Sequence, residues 1–154
     1  MTENPSFSKL HHIGIVVRDM DKAVEYYKSL GIGPFKPLPE IVPKQAKLKE
    51  RIIRGKPAPL TFTNISRWAE MGPYFIELLQ PFEGIKSIWS DFLEAKGEGI
   101  QHLAYQVDDI DAEEARLVKN GLSVLYRIRF EDGGGDTYFE TDEVGGVLLT
   151  IVRF

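Results

Sequence analysis

The sequence predicts an α+β domain built from two βαβββ halves. A segment that begins at His12 is repeated 90 positions later, where it begins at His102. Each copy has the length and apolar content of a β-strand and leads through an Asp-rich turn into a short helix. Three further β-type stretches follow each helix. Internal repetition of this kind indicates that one supersecondary unit occurs twice in the fold.

Each predicted element follows from local signals. Asp21 and Asp111 stand where an N-cap side chain accepts the first free N–H groups of a helix. The helices that they begin, at 22–30 and 112–120, each end before a glycine suited to the left-handed conformation. The strands predicted after the two helices are, in chain order, 35–42, 60–65, 74–79, 123–128, 137–141 and 147–152.

The chain length is that of a single domain. We expect one domain over 9–154, made of half-modules 9–82 and 98–154. A linker helix is predicted at 85–96, because apolar residues recur there at the spacing of one helical face.

Composition narrows the function classes. The 154 residues include no cysteine, which excludes disulfides, zinc ribbons and cysteine nucleophiles. The net charge of −4 gives no reason to expect a nucleic acid partner. We find neither a signal peptide nor an apolar run of membrane-spanning length. We therefore expect a cytoplasmic protein without a membrane partner.

Strand alternation places the two histidines in equivalent surroundings. His12 shares a strand face with Gly14, and His102 shares one with Ala104, so a small residue leaves room near each imidazole. Glu77 lies in an apolar strand, where a carboxylate is costly unless it is paired, protonated or bound to a metal. If the halves pair about a twofold axis, the two histidines converge on it. Two imidazoles and a carboxylate suit a divalent first-row metal with positions left open for water or substrate.

Three segments carry a resemblance to a known superfamily. Residues 9–17, 75–81 and 99–111 resemble the vicinal oxygen chelate superfamily, which includes glyoxalase I, bleomycin-resistance proteins, extradiol dioxygenases and methylmalonyl-CoA epimerases. The likeness extends over 9–152 and is greatest to the epimerase branch. It implies a glyoxalase-like fold, in which two βαβββ modules form a curved mixed sheet that encloses a metal and substrate cleft. It also implies a homodimer.

The resemblance further implies a set of metal ligands. It assigns His12, Glu77 and His102 to the ion, and it places Thr150 where the family usually has a fourth ligand, a glutamate. A neutral hydroxyl is a poor metal ligand and cannot act as a carboxylate base. We therefore expect a divalent ion (Co, Mn, Ni, Zn or Fe) that is either weakly bound or absent.

The predicted activity is that of a metal-dependent isomerase similar to methylmalonyl-CoA epimerase, with a small carbonyl or acyl-CoA compound as substrate. Such an enzyme abstracts a proton next to a carbonyl, and the cation stabilises the resulting enediolate. Glu77 and Glu140 are the candidate catalytic carboxylates. Glu140 has the alternative interpretation of a solvated residue at a strand edge.

Two other function classes fit the same residues. A glyoxalase I-like lyase, related to lactoylglutathione lyase, would use the same three ligands. A metal-free small-molecule binding protein of the bleomycin-resistance type would explain Thr150.

The proline-rich segment 34–59 concentrates positive charge. It holds seven basic residues and two glutamates, which give a net charge of +5. Such a segment suits an anionic substrate, such as an acyl-CoA phosphate, if it lies at the mouth of a cleft. The alternative interpretation is a solvated loop or hairpin.

Overall fold

The structure of the chain, a computed structural model, describes residues 5–37 and 47–154. Three helices and ten strands lie within these residues, which confirms the α+β class. The chain divides into two compact units. The His12 unit comprises His12–Lys44 and Phe62–Gln101, and the His102 unit comprises Met1–His11, Gln45–Thr61 and His102–Phe154.

The elements follow the order that the repeat predicts, with two strands added. The helices are α1 (Met20–Ser29), α2 (Ile88–Lys96) and α3 (Ile110–Lys119). The strands are β1 (Leu10–Val16), β2 (Lys36–Pro37), β3 (Leu48–Ile53), β4 (Lys56–Pro57), β5 (Asn64–Met71), β6 (Tyr74–Pro81), β7 (Gly99–Gln106), β8 (Val124–Phe130), β9 (Gly135–Phe139) and β10 (Leu148–Arg153). Among the described residues, none of the helices combines the length and the apolar content needed to cross a membrane.

The His12 unit packs α1 against one face of its strands. The strand order is β2-β5-β6-β1, and β1 runs parallel to β6. The apolar side chains beneath α1 form a continuous core. Its buried members are Val17, Met20, Ala69, Ile76 and Leu78. Because side chains alternate along a strand, the opposite face of the same strands carries His12, Trp68 and Glu77.

The His102 unit repeats this plan and adds a hairpin. The strand order is β7-β10-β9-β8-β3-β4, and β7 runs parallel to β10. Its core lies beneath α3. The buried members are Ile110, Leu117, Phe139 and Ile151. Strand β3 pairs antiparallel with β8, so a strand from the first half of the sequence extends the sheet of this unit.

The repeat extends through the strand pairing of both units. Glu77 lies opposite Gly14 in the pairing of β6 with β1. Thr150 lies opposite Ala104 in the pairing of β10 with β7. Core residues at matching positions are Val17 and Val107, Met20 and Ile110, Ala69 and Phe139, and Leu78 and Ile151. The two βαβββ halves therefore have the same register as well as the same order of elements.

Helix α1 begins two residues earlier than predicted. Its N-cap is Asp19 and not Asp21, and the Asp19 carboxylate accepts a hydrogen bond of 3.1 Å from the backbone N–H three residues later. The physical reason is Met20, which packs in the apolar core as the first helical residue. Helix α3 differs in the same way, since Asp109 and not Asp111 is its N-cap.

Helix α2 begins later than predicted, at Ile88 and not at position 85. Ser87 is its N-cap, and the Ser87 Oγ accepts a hydrogen bond of 3.1 Å from the backbone N–H of Ser90. In return the Ser90 Oγ accepts one of 2.7 Å from the backbone N–H of Ser87. This reciprocal capping box satisfies two donors and sets the start of the helix.

Two strand predictions also need correction. The strand expected at 60–65 is β5, which begins at Asn64 and continues to Met71 because it pairs with β6 over that length. Strands β3 and β4 were not predicted, since their pairing with each other and with β8 leaves no local signal. Of the strand expected at 35–42, residues 38–42 lie outside the described part of the chain.

The capping assignment predicts different costs for two neighbouring substitutions. Asp19→Ala removes the cap, and we expect it to lower the free energy of unfolding by about 1 kcal/mol. Asp21→Ala removes only a favourable charge from the exposed first turn, and we expect a loss of about 0.3 kcal/mol. Urea unfolding followed by circular dichroism measures both. An equal loss in the two variants would contradict the assignment.

Candidate functional site

His12 and Glu77 form a buried pair in the His12 unit. The His12 side chain is 2% exposed and that of Glu77 is 8% exposed. The His12 Nε2 lies 3.2 Å from the Glu77 Oε2. Gly14 makes this approach possible. It lies opposite Glu77 on the same strand face as His12, and because it has no side chain, nothing there separates the Glu77 carboxylate from the His12 imidazole.

Two residues of β5 hold this pair in place. The Ser66 Oγ donates a hydrogen bond of 2.7 Å to the Glu77 Oε1, so both oxygens of the carboxylate have a partner. The Trp68 ring meets the His12 ring edge to face, with 4.5 Å between the ring centroids. These contacts offset the cost of burying a carboxylate and restrict the rotation of the imidazole.

His102 occupies the equivalent place in the His102 unit. Its side chain is 0% exposed. The Tyr138 ring meets it edge to face, with 4.8 Å between the centroids, and the Tyr138 hydroxyl lies 3.4 Å from the His102 Nε2. Tyr138 lies opposite Thr150 just as Trp68 lies opposite Glu77. Each histidine therefore packs on an aromatic ring supplied by the same strand of the repeat.

Thr150 stands at the position that Glu77 has in the other half. It is 0% exposed. Its Oγ1 has no hydrogen-bond partner among the described residues. A buried hydroxyl without a partner is costly, so this atom needs a polar group that none of the described residues supplies.

The predicted ligands have the chemistry that a metal site requires. His12, Glu77 and His102 form a group among the described residues that could hold a metal ion. All three are buried. Thr150 carries a neutral hydroxyl, which is not one of the side chains that bind such an ion strongly.

Glu140 lies in different surroundings. It is exposed, and its Oε1 accepts a hydrogen bond of 2.9 Å from the Arg54 Nη1. This is the arrangement of an ion pair at the surface. Its assignment as a catalytic carboxylate stays a prediction.

The basic segment 34–59 is partly built into the fold. Arg51 is buried, its Nε donates a hydrogen bond of 3.3 Å to the Tyr126 hydroxyl, and its guanidinium lies over the Tyr126 ring. Burial raises the pKa of Tyr126 to about 12; the hydrogen bond from Arg51 opposes this shift and the charge of Asp136 adds to it. Lys44 lies outside the described residues.

A cavity of about 360 Å³ lies in the His12 unit. Trp68 contributes to its wall and also contacts His12. Phe75 adds a second aromatic side chain, and Lys36 and Glu70 add charges. The volume falls within the range of about 300–1,000 Å³ that small-molecule sites have.

The sequence did not identify Ser66, Trp68 or Tyr138 as parts of the site. The strand predicted at 60–65 ended before Ser66 and Trp68, although polar and apolar residues continue to alternate there as they do in a strand. Tyr138 lay within a predicted strand, but its place beside His102 depends on the pairing of β9 with β10. No motif marks any of the three.

Comparison with known proteins identifies the family and several structures of similar fold. The profile of the glyoxalase/bleomycin resistance protein/dioxygenase superfamily matches residues 11–139. Methylmalonyl-CoA epimerase from Mycobacterium tuberculosis is 26% identical, with a TM-score of 0.68, over 99% of this chain and 91% of that chain. No curated protein matches the chain.

Two further structures are similar in fold. A variant of Streptomyces coelicolor methylmalonyl-CoA epimerase, in complex with 2-nitronate-propionyl-CoA, is 24% identical with a TM-score of 0.70 over 96% of this chain and 97% of that chain. A hypothetical protein from Bacillus halodurans is 23% identical with a TM-score of 0.68 over 95% of this chain and 94% of that chain.

The surroundings of Tyr126 predict an alkaline loss of stability. The unfolded tyrosine ionises near its ordinary pKa of 10.0, whereas the folded one stays protonated up to about 12. As the pH rises from the unfolded to the folded pKa, the contribution of Tyr126 to the free energy of unfolding should therefore fall by about 1.4 kcal/mol per pH unit. Tyr126→Phe removes that part of the slope. Urea midpoints at about pH 9 and about pH 11 measure it.

Tyr74→Phe serves as the matched control, because the Tyr74 side chain is 42% exposed. It should leave the alkaline slope as it is in the unsubstituted protein. If Tyr126→Phe also leaves the slope unchanged, the assignment is wrong.

Proposed function

The chain belongs to the glyoxalase/bleomycin resistance protein/dioxygenase superfamily, and from that premise we propose that it is a metal-dependent isomerase of the methylmalonyl-CoA epimerase kind. The observation that carries the proposal is the buried pair of His12 and Glu77, which belongs with His102 to one potential metal-binding group. The likeness to the epimerase from Mycobacterium tuberculosis, over nearly the full length of both chains, supports the same activity.

The donor atoms suit a divalent first-row ion. Two ligands that are each about 2.1 Å from one ion lie about 3.0–3.4 Å apart, depending on the angle between them. The His12 Nε2 and the Glu77 Oε2 are 3.2 Å apart, so they can bind one ion with little movement. We assign His102 as the third ligand. With imidazole and carboxylate ligands and no cysteine in the chain, the ion should be exchangeable.

The surrounding residues give each ligand a fixed orientation. Ser66 occupies one oxygen of Glu77 and leaves the other directed at His12. Trp68 and Tyr138 restrict the imidazoles of His12 and His102. Partners of this kind keep ligands in place before the ion arrives. A bound divalent ion supplies the polarisation that makes a C–H bond next to a carbonyl acidic.

The proposed substrate is a small acyl-CoA with an acidic C–H bond next to its carbonyl. An epimerase with the same fold binds 2-nitronate-propionyl-CoA, which supports this class of ligand. In the cavity of the His12 unit, Trp68 and Phe75 provide an apolar wall, Glu70 brings a negative charge and Lys36 a positive one. A carboxylate or phosphate group of the substrate would complement that charge. A homodimer and a cytoplasmic location stay predictions.

A metal-free binding protein is the second candidate. Thr150 favours it, because its buried neutral hydroxyl occupies the repeat position at which the other half has the Glu77 carboxylate. Loss of one negative charge weakens the attraction for a divalent cation. Metal binding separates the two candidates.

Metal binding tests the proposed ligands. Titration of the metal-stripped protein with Co²⁺ should give one site per chain and a visible absorption band. His12→Ala and His102→Ala should each weaken binding at least about tenfold, because each removes a ligand of the ion. His11→Ala is the matched control: this neighbouring histidine packs on Phe154 and should leave the affinity unchanged. Absence of any stoichiometric site would favour the metal-free protein.

Solvent exchange tests the reaction. The Co²⁺-loaded protein, incubated with methylmalonyl-CoA in D₂O, should incorporate deuterium next to the thioester carbonyl, and mass spectrometry measures it. Glu77→Gln should slow the exchange at least about a hundredfold, since the carboxylate charge is lost from the site. A protein that binds metal but exchanges no deuterium would not be an epimerase of this substrate, and a glyoxalase I-like lyase would then be tested with a hemithioacetal.

A further inference from the structure

Arg51 is a buried cation with no carboxylate beside it. It lies on β3 in the His102 unit and is 5% exposed. A guanidinium keeps its charge inside a protein, and a buried charge is costly unless an opposite charge compensates for it. Among the described residues, Arg51 forms no ion pair. We propose that Arg51 is the centre of an anion-binding site in this unit, which takes a carboxylate or phosphate group of a small molecule.

A second buried arginine of the same unit shows how the fold compensates such a charge elsewhere. Arg129 is also 5% exposed. Its Nε lies 2.8 Å from the Asp111 Oδ1, and its Nη2 lies 2.6 Å from the Glu114 Oε2. Two carboxylates thus neutralise Arg129, whereas the described residues place none against Arg51. Because the two arginines are equally buried, the missing counter-ion is a property of the surroundings of Arg51.

The contacts of Arg51 orient its guanidinium and leave one edge for a ligand. The Nε donates a hydrogen bond of 3.3 Å to the Tyr126 hydroxyl, and the Nη1 donates one of 3.2 Å to the Pro59 carbonyl. The Arg51 Cζ lies 5.5 Å from the centroid of the Tyr126 ring. Both acceptors are neutral, and in the described part of the chain the Nη2 donates to none. Parallel N–H groups of a guanidinium match the two oxygens of a carboxylate or phosphate.

Arg51 lies close to an edge of the sheet despite its burial. Only β4 lies beyond β3 in the strand order, and its two residues, Lys56 and Pro57, are exposed. Pro59, whose carbonyl accepts from the Arg51 Nη1, is exposed as well. The anionic group of a ligand that approaches this edge therefore meets little protein between the solvent and the guanidinium.

The hairpin of β3 and β4 attracts anions to this place. It carries more basic than acidic residues, and those besides Arg51 are the exposed Lys49, Arg54 and Lys56. Its one acid, Glu50, already pairs with Arg127. An excess of positive charge raises the local concentration of anions. The hairpin belongs to the basic segment 34–59, for which the sequence predicts an anionic substrate, and Arg51 is its buried cation.

Arg51 acts on the face of the unit that carries His102. The Tyr126 ring beneath its guanidinium lies 5.5 Å from the Tyr138 ring, and that ring lies 4.8 Å from the imidazole of His102. On the same face, Thr150 has a buried hydroxyl without a partner among the described residues. This second observation is independent of Arg51 and also indicates a polar ligand. A molecule with an anionic group remote from the end that lies near His102 fits this face.

Titration of the metal-stripped protein with small anions tests the inference. The probes are malonate, inorganic phosphate and coenzyme A, and pantetheine is the uncharged counterpart of coenzyme A. The NMR signal of the Arg51 Nε–H group should shift and saturate with malonate if the site takes carboxylates. It should do so with phosphate or coenzyme A if the site takes phosphates, and pantetheine should leave it unchanged.

Substitutions show whether the guanidinium is responsible. Arg51→Met should weaken binding of the anion at least about tenfold in calorimetry, because it removes charge-assisted hydrogen bonds. Arg51→Lys keeps the charge without the parallel N–H groups, so its affinity should be intermediate. Arg54→Met is the matched control. It removes an arginine of the same hairpin whose side chain is 61% exposed, and it should leave the affinity unchanged.

If none of the three anions shifts the Arg51 signal, or if Arg51→Met binds them as tightly as the original protein, Arg51 has only a structural role and the inference is wrong. Circular dichroism confirms that the variants are folded. Should Arg51→Met not fold, the NMR titration of the original protein and the affinity of Arg51→Lys decide. The test uses no metal, so its outcome is separate from that of the Co²⁺ titration.

Discussion

The parallel pairing of the first and last strands of each half determines where the functional side chains meet. In the pairing of β1 with β6, Gly14 lies opposite Glu77, and the absence of a side chain there lets the carboxylate reach His12. A shift of one residue in this register would turn Glu77 into the apolar core beneath α1. The core residues Ile76 and Leu78 therefore fix the geometry of the site as well as the stability of the unit.

In each unit, one face of the sheet is apolar and the other carries buried polar groups. The free energy gained by burying the apolar face offsets the cost of burying those polar groups. One face packs apolar side chains against a helix, which supplies most of the favourable free energy of folding. The other face can then hold buried polar groups, provided that each has a partner. Glu77 has two, His12 and Ser66. Thr150 has none among the described residues, so the second half is the part of the site that is incomplete without a ligand or water.

The sequence predicted the repeat and the order of its elements, because these depend on local patterns. The choice of His12 and Glu77 as site residues came from the resemblance to the superfamily, and their contact depends on the pairing of β1 with β6. The N-caps were placed two residues late, since Asp19 and Asp21 satisfy the same local pattern and only the burial of Met20 distinguishes them. Strand β3 could not be predicted, because its partner β8 lies far along the chain and charges interrupt its apolar pattern. The place of Tyr138 beside His102 needs the pairing of β9 with β10, which no pattern in the sequence reveals.

The difference between the two halves bears on which of the candidate functions holds. Thr150 lies opposite Tyr138 just as Glu77 lies opposite Trp68, so the two positions are equivalent and differ in the chemistry of their side chains. A hydroxyl at one position and a carboxylate at the other leave one negative charge fewer than two carboxylates would provide, which weakens the attraction for a divalent cation. The buried Thr150 hydroxyl also needs a polar partner that no described residue supplies, and a ligand that enters the site can provide one.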